Sequence, residues 1–249
     1  MDLFCNQDAK ARRGFESLPD LFTFTKKMPR SVAIIPARGG SKGIKNKNLC
    51  SVLGKPLLHY CLAAIKKSKL NDFFVSTDCD RIIEYCINNG VKYIRRPEEL
   101  CQDDSPTVDC ITHAIDYLGL KAKDIVLTIQ PTSPIISYLD INKALGKLNN
   151  HDYVVAVTQH HKILWEATGD DLRAFNHDPL NRLRRQDSKA IVSETGSIYG
   201  SCVGLIEKNN SILGKNNVGY VEIPKSRSFE LDDLQDLFII ESLLRRLKI

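Results

Sequence analysis

The sequence predicts an α/β fold with a mainly parallel sheet that helices cover on both faces. Short apolar runs at 31–36 and 124–129 are typical of strands buried on both sides. Segments with apolar residues at helical spacing, such as 57–67 and 107–118, lie between such runs. Because alternating strands and helices connect through right-handed crossovers, we expect the strands to run largely parallel in one sheet.

The predicted elements follow one another along the chain at short intervals. Helix 81–89 should be capped by Asp78 or Asp80 and should end at Gly90. The last helix ends in a basic turn at 245–248, where positive charge suits the helix dipole. Predicted strands cover 31–36, 72–76, 91–94, 124–129 and 153–157, and the pattern resumes at 197–205; predicted helices cover 57–67, 81–89, 107–118, 140–148 and 231–247.

The domain organisation follows from where this regular pattern starts and breaks. Residues 1–30 are mixed and poorly periodic, and we interpret them as a flexible N-terminal leader. Residues 31–249 are predicted to form one domain, which is the usual size for a single core. From about 158 to 195 the pattern gives way to polar, irregular sequence around Trp165, which is typical of a functional lobe or an interface.

Composition limits the classes of function. The net charge of +5, from 35 Lys plus Arg against 30 Asp plus Glu, is too small to indicate nucleic acid, and it suits a pocket for phosphates and a carboxylate. No apolar run approaches the roughly 20 residues that cross a bilayer. The N-terminus lacks the pattern of a secretory signal, so we expect a cytoplasmic protein. The eight cysteines include no C-x-x-C pair and are expected to be reduced and mostly buried.

The segment 36–48, P-A-R-G-G-S-K-G-I-K-N-K-N, directly follows the first predicted strand. It therefore lies at the carboxyl edge of the sheet, where ligands bind in open α/β folds. Its glycines allow backbone N–H groups to approach an anion closely. The segment matches neither the P-loop nor the dinucleotide-binding pattern. A triphosphate fits these features, and an exposed basic loop is the alternative. The basic side chains are Arg38, Lys42, Lys45 and Lys47.

A second segment, Q-P-T-S-P at 130–134, follows the predicted central strand. Its two prolines fix the chain and bring Gln130, Thr132 and Ser133 to the same edge of the sheet. Gln130 carries both a donor and an acceptor, which suits a nucleobase or a sugar. By itself, the segment is equally typical of a structural turn.

A third segment, E-L-D-D at 230–233, stands at the start of the last predicted helix. In an extended stretch, Glu230 and Asp232 lie on one side, and such paired carboxylates can hold Mg²⁺ together with phosphates and water. Alternatively, Asp232 and Asp233 cap a helix that begins at Leu234. The basic loop at 36–48 favours the metal site.

In this order, the three segments resemble the acylneuraminate cytidylyltransferase family, also called CMP-sialic acid synthetases, including members for legionaminic and pseudaminic acid. Further matching segments are V-S-T-D at 75–78, R-P-x-E-L at 96–100, an R-Q pair at 185–186 and G-x-I-Y at 196–199. The resemblance covers roughly residues 31–245. It implies a Rossmann-like, three-layer nucleotidyltransferase fold and a homodimer formed through a protruding lobe at about 155–190.

The resemblance also implies the reaction, in which CMP passes from CTP to the anomeric hydroxyl of an acidic nine-carbon sugar, with Mg²⁺ as cofactor and pyrophosphate as product. The implied catalytic residues are Arg38, Lys47 and Asp232. The implied nucleotide-binding residues are Arg38, Gly39, Gly40, Ser41, Lys42, Lys47, Asn48, Arg96 and Thr107. The implied sugar-binding residues are Gln130, Arg185 and Tyr199, and the implied metal ligands are Glu230 and Asp232.

Three departures from the family pattern fall on the metal and sugar side of the implied site. Glu230 stands where members usually carry Asp. Ser193, Glu194 and Thr195 precede Gly196, where sialic-acid-specific members often place Arg and Asn. No aromatic pair against the N-acyl group stands near 209–217. Several nonulosonic acids therefore stay open as the substrate, as do a cytidylyltransferase for another keto-deoxy sugar acid and a nucleotide-binding homologue without turnover.

Overall fold

The computed structural model describes residues 29–41, 43–184, 187 and 191–248. Within these residues, no helix is both long and apolar enough to cross a membrane. The strands are β1 (Ser31–Pro36), β2 (Ser51–Val52), β3 (Lys55–Pro56), β4 (Asp72–Thr77), β5 (Tyr93–Arg95), β6 (Ile125–Ile129), β7 (Tyr153–His160), β8 (Trp165–Thr168), β9 (Asp171–Ala174), β10 (Ile191–Cys202) and β11 (Val218–Glu222). The α-helices are α1 (Leu57–Lys66), α2 (Asp80–Asn88), α3 (Thr107–Leu118), α4 (Tyr138–Lys147), α5 (Val203–Asn209) and α6 (Leu234–Leu247).

Among the described residues, one sheet of seven strands in the order β11-β7-β10-β6-β1-β4-β5 forms the centre of the fold. The pairs β1–β4, β1–β6, β4–β5 and β7–β11 are parallel. The exception is β10, which runs antiparallel to both β6 and β7. The prediction of a mainly parallel sheet is confirmed, and the antiparallel strand was not evident from the sequence.

The first strand shows why helices cover both faces of the sheet. Its alternate side chains enter two different hydrophobic clusters, because successive residues of a strand point to opposite faces. Ala33 and Ile35 pack with residues of α1, α2 and α4. Val32 and Ile34 pack with residues of α3 and α5. The result is the three-layer arrangement expected from the continuous apolar run at 31–36.

The start of α2 differs from the prediction. The helix begins at Asp80, and its N-cap residue Cys79 makes no side-chain capping bond. Asp78 does not cap the helix, because its Oδ1 accepts a hydrogen bond from the backbone N–H of Gly39, at 2.9 Å. The helix ends at Asn88, and Gly90 follows with a φ of 61°, as its left-handed role predicted.

The last helix begins three residues later than its predicted start at 231. Asp233 is its N-cap, and the Asp233 side chain accepts from the N–H groups of Gln235 and Asp236 in a capping box. Leu231 is fully buried, and it packs outside the helix in a cluster with Ile135. Helical spacing does not distinguish such a buried anchor from the first apolar residue of a helix.

The lobe predicted at about 155–190 is more regular than its sequence suggested. Strand β7 runs on to His160 and β10 begins at Ile191, so two strands of the central sheet extend into this region. Between them, β8 and β9 form a two-stranded hairpin that pairs only with itself among the described residues. The prediction of an irregular stretch from 158 to 195 was therefore wrong for much of its length. Most of the predicted leader lies outside the described residues.

The capping arrangement predicts different effects for two neighbouring aspartates. Asp233→Ala should lower the free energy of unfolding by about 1 kcal/mol, because two N–H groups of the first turn lose their acceptor. Asp232→Ala should change it by less than about 0.5 kcal/mol, because its side chain is exposed and plays no part in the cap. Urea denaturation followed by circular dichroism measures both. Equal losses in the two variants would contradict the assignment of Asp233 as the cap.

Candidate active site

A cleft of about 320 Å³ opens where the carboxyl ends of β1 and β6 meet. Its walls come from the loop after β1, the turn before α3 and the segment after β6. The two parallel strands are neighbours, so the residues that follow them are brought to one edge of the sheet. The predicted site residues that line this cleft are Arg38, Gly40, Ser41, Lys47, Asn48, Arg96, Thr107 and Gln130.

Arg38 connects two walls of the cleft. Its Nη2 lies 2.7 Å from Oδ1 of Asp103. Its Nη1 donates to the carbonyl oxygen of Gln102 at 2.9 Å and to that of Cys101 at 3.3 Å. The guanidinium therefore ties the loop after β1 to the loop before α3, while its side chain stays 31% exposed. An incoming anion would meet a positive group that is already held in place.

The loop after β1 is held from beneath by contacts that need its glycine and asparagine residues. Asn48 is buried, and its Nδ2 donates to the carbonyl oxygen of Arg38 at 2.9 Å. A Cβ on Gly39 would lie 2.8 Å from the Cβ of Cys79, so a side chain there would push the loop away from Asp78. Gly39 itself does not line the cleft, since its N–H donates to Asp78.

Arg96 is a buried charge of the site with unpaired hydrogen-bond donors. The residue is 6% exposed, and its Nε and Nη2 have no hydrogen-bond partner among the described residues. Burying unpaired donors of a charged group is costly unless a ligand satisfies them. Arg96 and Thr107 line the same cleft, and Thr107 is the first residue of α3, where the helix dipole favours acceptors.

The segment after β6 is fixed to β10 by two hydrogen bonds. The N–H of Gln130 donates to the carbonyl oxygen of Ser197 at 3.1 Å. The buried Ser133 hydroxyl donates to the carbonyl oxygen of Thr195 at 2.9 Å. Gln130 and Thr132 consequently face the cleft, whereas Ser133 is used to hold the backbone.

The acidic segment 230–232 is held beside the cleft by its central residue. Leu231 is fully buried, and its N–H donates to the carbonyl oxygen of Thr132 at 2.8 Å. Asp232 is exposed, and its Oδ1 lies 3.2 Å from Nζ of Lys47. Asp232 is thereby brought against the loop after β1, where a Cβ added to Gly43 would overlap the carbonyl oxygen of Asp232. Glu230 is brought against β10, where a Cβ added to Gly196 would overlap the carboxylate of Glu230.

The groups that act on the Glu230 carboxylate are more negative than positive. Burial and, to a smaller extent, the nearby carboxylate of Asp232 raise its pKa to about 7, while Lys47 lowers the pKa by less than Asp232 raises it. Two carboxylates with one lysine between them fit a divalent cation that phosphates and water complete, because Mg²⁺ commonly uses only one or two protein carboxylates. Within the described part of the chain, no group of three or more His, Cys, Asp or Glu residues is arranged to hold a metal alone.

Tyr199 is a predicted site residue that does not line the cleft. It sits in β10 with only 9% exposure, and its hydroxyl donates to Oε2 of Glu194 at 3.0 Å. Burial raises the pKa of Tyr199, and the acceptor Glu194 adds to the effect. The hydroxyl of Tyr199 is therefore already engaged by Glu194. Lys42 and Arg185, also predicted as site residues, lie outside the described residues.

Several lining residues were missed by the sequence analysis. Gln102, Asp103 and Ser105 belong to the loop before α3, and they close the cleft on the side of Arg96. The polar run C-Q-D-D-S-P at 101–106 is the signal that could have identified them, since it separates the R-P-x-E-L segment from the start of a helix. Such runs are common in ordinary turns, so the signal is weak by itself.

Comparison with known proteins gives a consistent result. The family model described as Cytidylyltransferase matches residues 32–230. The chain is 34% identical over 207 residues to N-acylneuraminate cytidylyltransferase B of Danio rerio, which covers 80% of this chain and 48% of that protein. It is also 34% identical to N-acylneuraminate cytidylyltransferase of Escherichia coli O18:K1:H7, covering 82% of this chain and 50% of that protein. This chain thus spans about half the length of these curated relatives.

A more distant relative and a solved structure extend the comparison. The pseudaminic acid cytidylyltransferase and hydrolase of Helicobacter pylori is 26% identical over 198 residues, which is 76% of this chain and 38% of that protein. A solved structure of CMP:2-keto-3-deoxy-manno-octonic acid synthetase with CTP superposes with a TM-score of 0.67 at 17% identity, covering 88% of this chain and 99% of that one. This second likeness supports the Rossmann-like α/β nucleotidyltransferase fold.

The contact between Gly196 and Glu230 can be tested with a matched pair of variants. Gly196 and Gly169 both have a φ of 62°, but only Gly196 has a carboxylate where its Cβ would be. Each Gly→Ala change should lower the free energy of unfolding by about 1 to 2 kcal/mol, because both place a side chain in the left-handed region. Crystal structures should reveal the Glu230 carboxylate displaced in Gly196→Ala alone. An unmoved carboxylate in that variant would disprove the contact.

Proposed function

This chain belongs to the cytidylyltransferase family, and we propose that it transfers CMP from CTP to the anomeric hydroxyl of a nonulosonic acid of the sialic acid type, releasing pyrophosphate. The observation that carries this proposal is one cleft that combines a basic, glycine-rich loop with the unpaired donors of Arg96, beside the Glu230–Asp232 pair. The names of the relatives, N-acylneuraminate and pseudaminic acid cytidylyltransferases, support the acidic nine-carbon acceptor.

The nucleotide would lie between the loop after β1 and the loop before α3. Arg38 and Lys47 would neutralise the phosphates, and the backbone N–H groups of Gly40 and Ser41 would donate to phosphate oxygens. Cytosine carries two neighbouring acceptors, and the unpaired donors of Arg96 suit such an edge. Thr107, at the start of α3, would hold the base or the ribose from the other side.

The acceptor sugar would lie on the side of Gln130, next to the acidic segment. In the proposed step, the anomeric oxygen forms a bond to the α-phosphorus, the bond from that phosphorus to the β-phosphate oxygen breaks, and pyrophosphate leaves. Arg38 and Lys47 would stabilise the charge that develops on the phosphates, because their positions are fixed before the substrate arrives. Asp232, with one exposed carboxylate, would accept the proton of the attacking hydroxyl.

Glu230 and Asp232 are the residues we propose to hold Mg²⁺, on the fit of the acidic pair described above, in which Glu230 is half-buried and Asp232 is exposed. A bound Mg²⁺ would supply charge neutralisation on the phosphates and would orient them for displacement. The longer side chain of Glu230, compared with the Asp usual in the family, is accommodated because Gly196 leaves space for its carboxylate. Glu230 therefore extends over β10 towards Glu194.

Two further features belong to this proposal. All seven cysteines within the described residues have free thiols, which supports a reducing compartment such as the cytoplasm. We further propose a homodimer formed through the lobe at about 155–190. Large apolar side chains are unusually exposed there, and such surfaces are typical of interfaces. They are Trp165, Leu172, Phe175, Leu180 and Leu183.

The enzymatic proposal is tested by incubating the pure protein with Mg²⁺, CTP and a panel of sialic, legionaminic, pseudaminic and eight-carbon keto-deoxy acids while measuring pyrophosphate. Release should require CTP and should be fastest with a nine-carbon acid. Asp232→Ala should abolish turnover and only weaken CTP binding, because it removes a metal ligand and leaves the phosphate loop intact. Asp233→Ala is the control and should keep turnover.

Each alternative has its own outcome in this assay. Fastest turnover with an eight-carbon acid would replace the nonulosonic acceptor. Binding of CTP without pyrophosphate from any sugar would identify a nucleotide-binding homologue without turnover. Full activity of Asp232→Ala would exclude the metal assignment.

The dimer proposal predicts the effect of charge on the lobe. Leu172→Glu and Phe175→Glu should convert a dimer to a monomer, because each buries a charge in an apolar interface. Tyr117→Glu is the matched control, since Tyr117 is 66% exposed on α3 and lies outside the lobe. Light scattering after size exclusion measures the masses. A monomeric wild-type protein, or an unchanged mass in both lobe variants, would contradict the proposal.

A further inference from the structure

We propose that Arg227 and Asp140 are positioning residues for this reaction: their buried ion pair fixes the acidic segment 230–232 relative to Gln130. This inference rests on the proposed function, because Gln130 and the acidic segment are the two sides between which the sugar would react. Neither residue lines the cleft, and neither belongs to the three segments that carry the family resemblance.

The pair has the geometry of a rigid connection. Nη1 and Nη2 of Arg227 donate to the two different carboxylate oxygens of Asp140, with Nη2 at 3.1 Å from Oδ1. Nη1 also donates to the carbonyl oxygen of Ile135 at 3.4 Å. The side chain of Asp140 is 2% exposed and that of Arg227 is 19% exposed. A two-pronged contact of this kind fixes orientation as well as distance.

Each partner is attached to one side of the proposed reaction centre. Asp140 stands in the first turn of α4, where its carboxylate also accepts from the N–H and hydroxyl of Ser137. The chain from Gln130 to Ser137 contains Ile135, which is fully buried. On the other side, Arg227 precedes Glu230 by three residues. The ion pair consequently joins the backbone that carries Gln130 to the backbone that carries Glu230 and Asp232.

The pair acts together with Leu231. The N–H of Leu231 donates to the carbonyl oxygen of Thr132, and its side chain packs against Ile135 in one cluster. Apolar packing alone would permit the segment to slide, since it has little directional preference. The two-pronged contact of Arg227 with Asp140 adds an interaction that depends on orientation and so opposes sliding. Two attachments, one on each side of Glu230, therefore limit its movement relative to Gln130.

The charge state of Asp140 agrees with this role. Burial by itself would raise its pKa, but the hydrogen bonds from Arg227 and Ser137 outweigh burial and lower the pKa below the ordinary value. The carboxylate is consequently ionised at neutral pH, and removing Arg227 would leave a buried charge with an incomplete set of donors. Lysine cannot reproduce the contact, because it offers a single point charge in place of two parallel N–H groups.

The test uses Arg227→Lys, Asp140→Asn and the double variant, with Asp72→Asn as the control. Asp72 makes an ion pair with Lys92 at the amino end of β4, far from the carboxyl edge that carries the site, and it is 21% exposed. Each variant of the pair should lower kcat about 100-fold, because a small misplacement of reacting groups has an effect of that size. The KM for CTP should stay within about threefold, since the phosphate loop is untouched. Asp72→Asn should retain its kcat within about twofold.

A second measurement is independent of turnover. Hydrogen–deuterium exchange of the Leu231 amide should become at least about fivefold faster in Arg227→Lys and Asp140→Asn, and should not change in Asp72→Asn. The double variant should lose no more kcat than either single variant, because both changes break one contact.

Unchanged exchange at Leu231, wild-type kcat in Arg227→Lys, or additive losses in the double variant would each overturn the inference. If the wild-type protein releases no pyrophosphate with any sugar acid, the proposed function fails, and the exchange measurement still decides whether the pair fastens the acidic segment.

Discussion

The burial of Leu231 is the constraint on which the arrangement of the site depends. This side chain has no access to solvent, and its N–H is bonded to Thr132 in the segment after β6. The residues on either side of it, Glu230 and Asp232, are acidic and would otherwise move freely in water. Because one apolar residue anchors the segment, one carboxylate is brought against β10 and the other beside Lys47. A hydrophobic contact thus determines where the negative charge of the site lies.

The sequence predicted the parts of the fold that depend on local pattern. The buried strands and helix α3 have their predicted places, because apolar periodicity and flanking Gly or Pro residues are local signals. It did not predict that β10 runs antiparallel, since strand direction depends on contacts far along the chain. Leu231 was assigned to the last helix because its spacing suits one. The prediction of Asp78 as a cap was wrong, because its carboxylate accepts from Gly39 instead, and only the folded chain brings those two residues together.

The candidate site was predictable to a similar extent. Residues in the loop after β1 and in Q-P-T-S-P meet in one cleft, because both segments follow neighbouring parallel strands. Sequence reasoning could not reveal that Arg38 is held by Asp103, that Arg96 has unpaired donors, or that the Tyr199 hydroxyl is bonded to Glu194. The Arg38 contact joins residues 65 positions apart, and the other two features depend on how the folded chain surrounds each side chain. The role of Arg227 was missed for the same reason, since its partner lies 87 residues away.

The detour in β10 around Gly196 has a consequence for how the protein tolerates changes in chain length. Against β7, the strand is in register at Glu194 and again at Tyr199, and the residues between them form an irregularity that places Gly196 over Glu230. Side chains alternate with a period of two, so the number of residues in this detour sets which faces of 191–194 point towards each side of the sheet. A deletion of one residue there would move each side chain of 191–194 to the opposite face of the sheet. The number of residues in this detour therefore determines both the contact of Gly196 with the acidic segment and the side-chain faces of the strand that enters the lobe. Insertions and deletions are restricted at this point, even where the side chains themselves are free to vary.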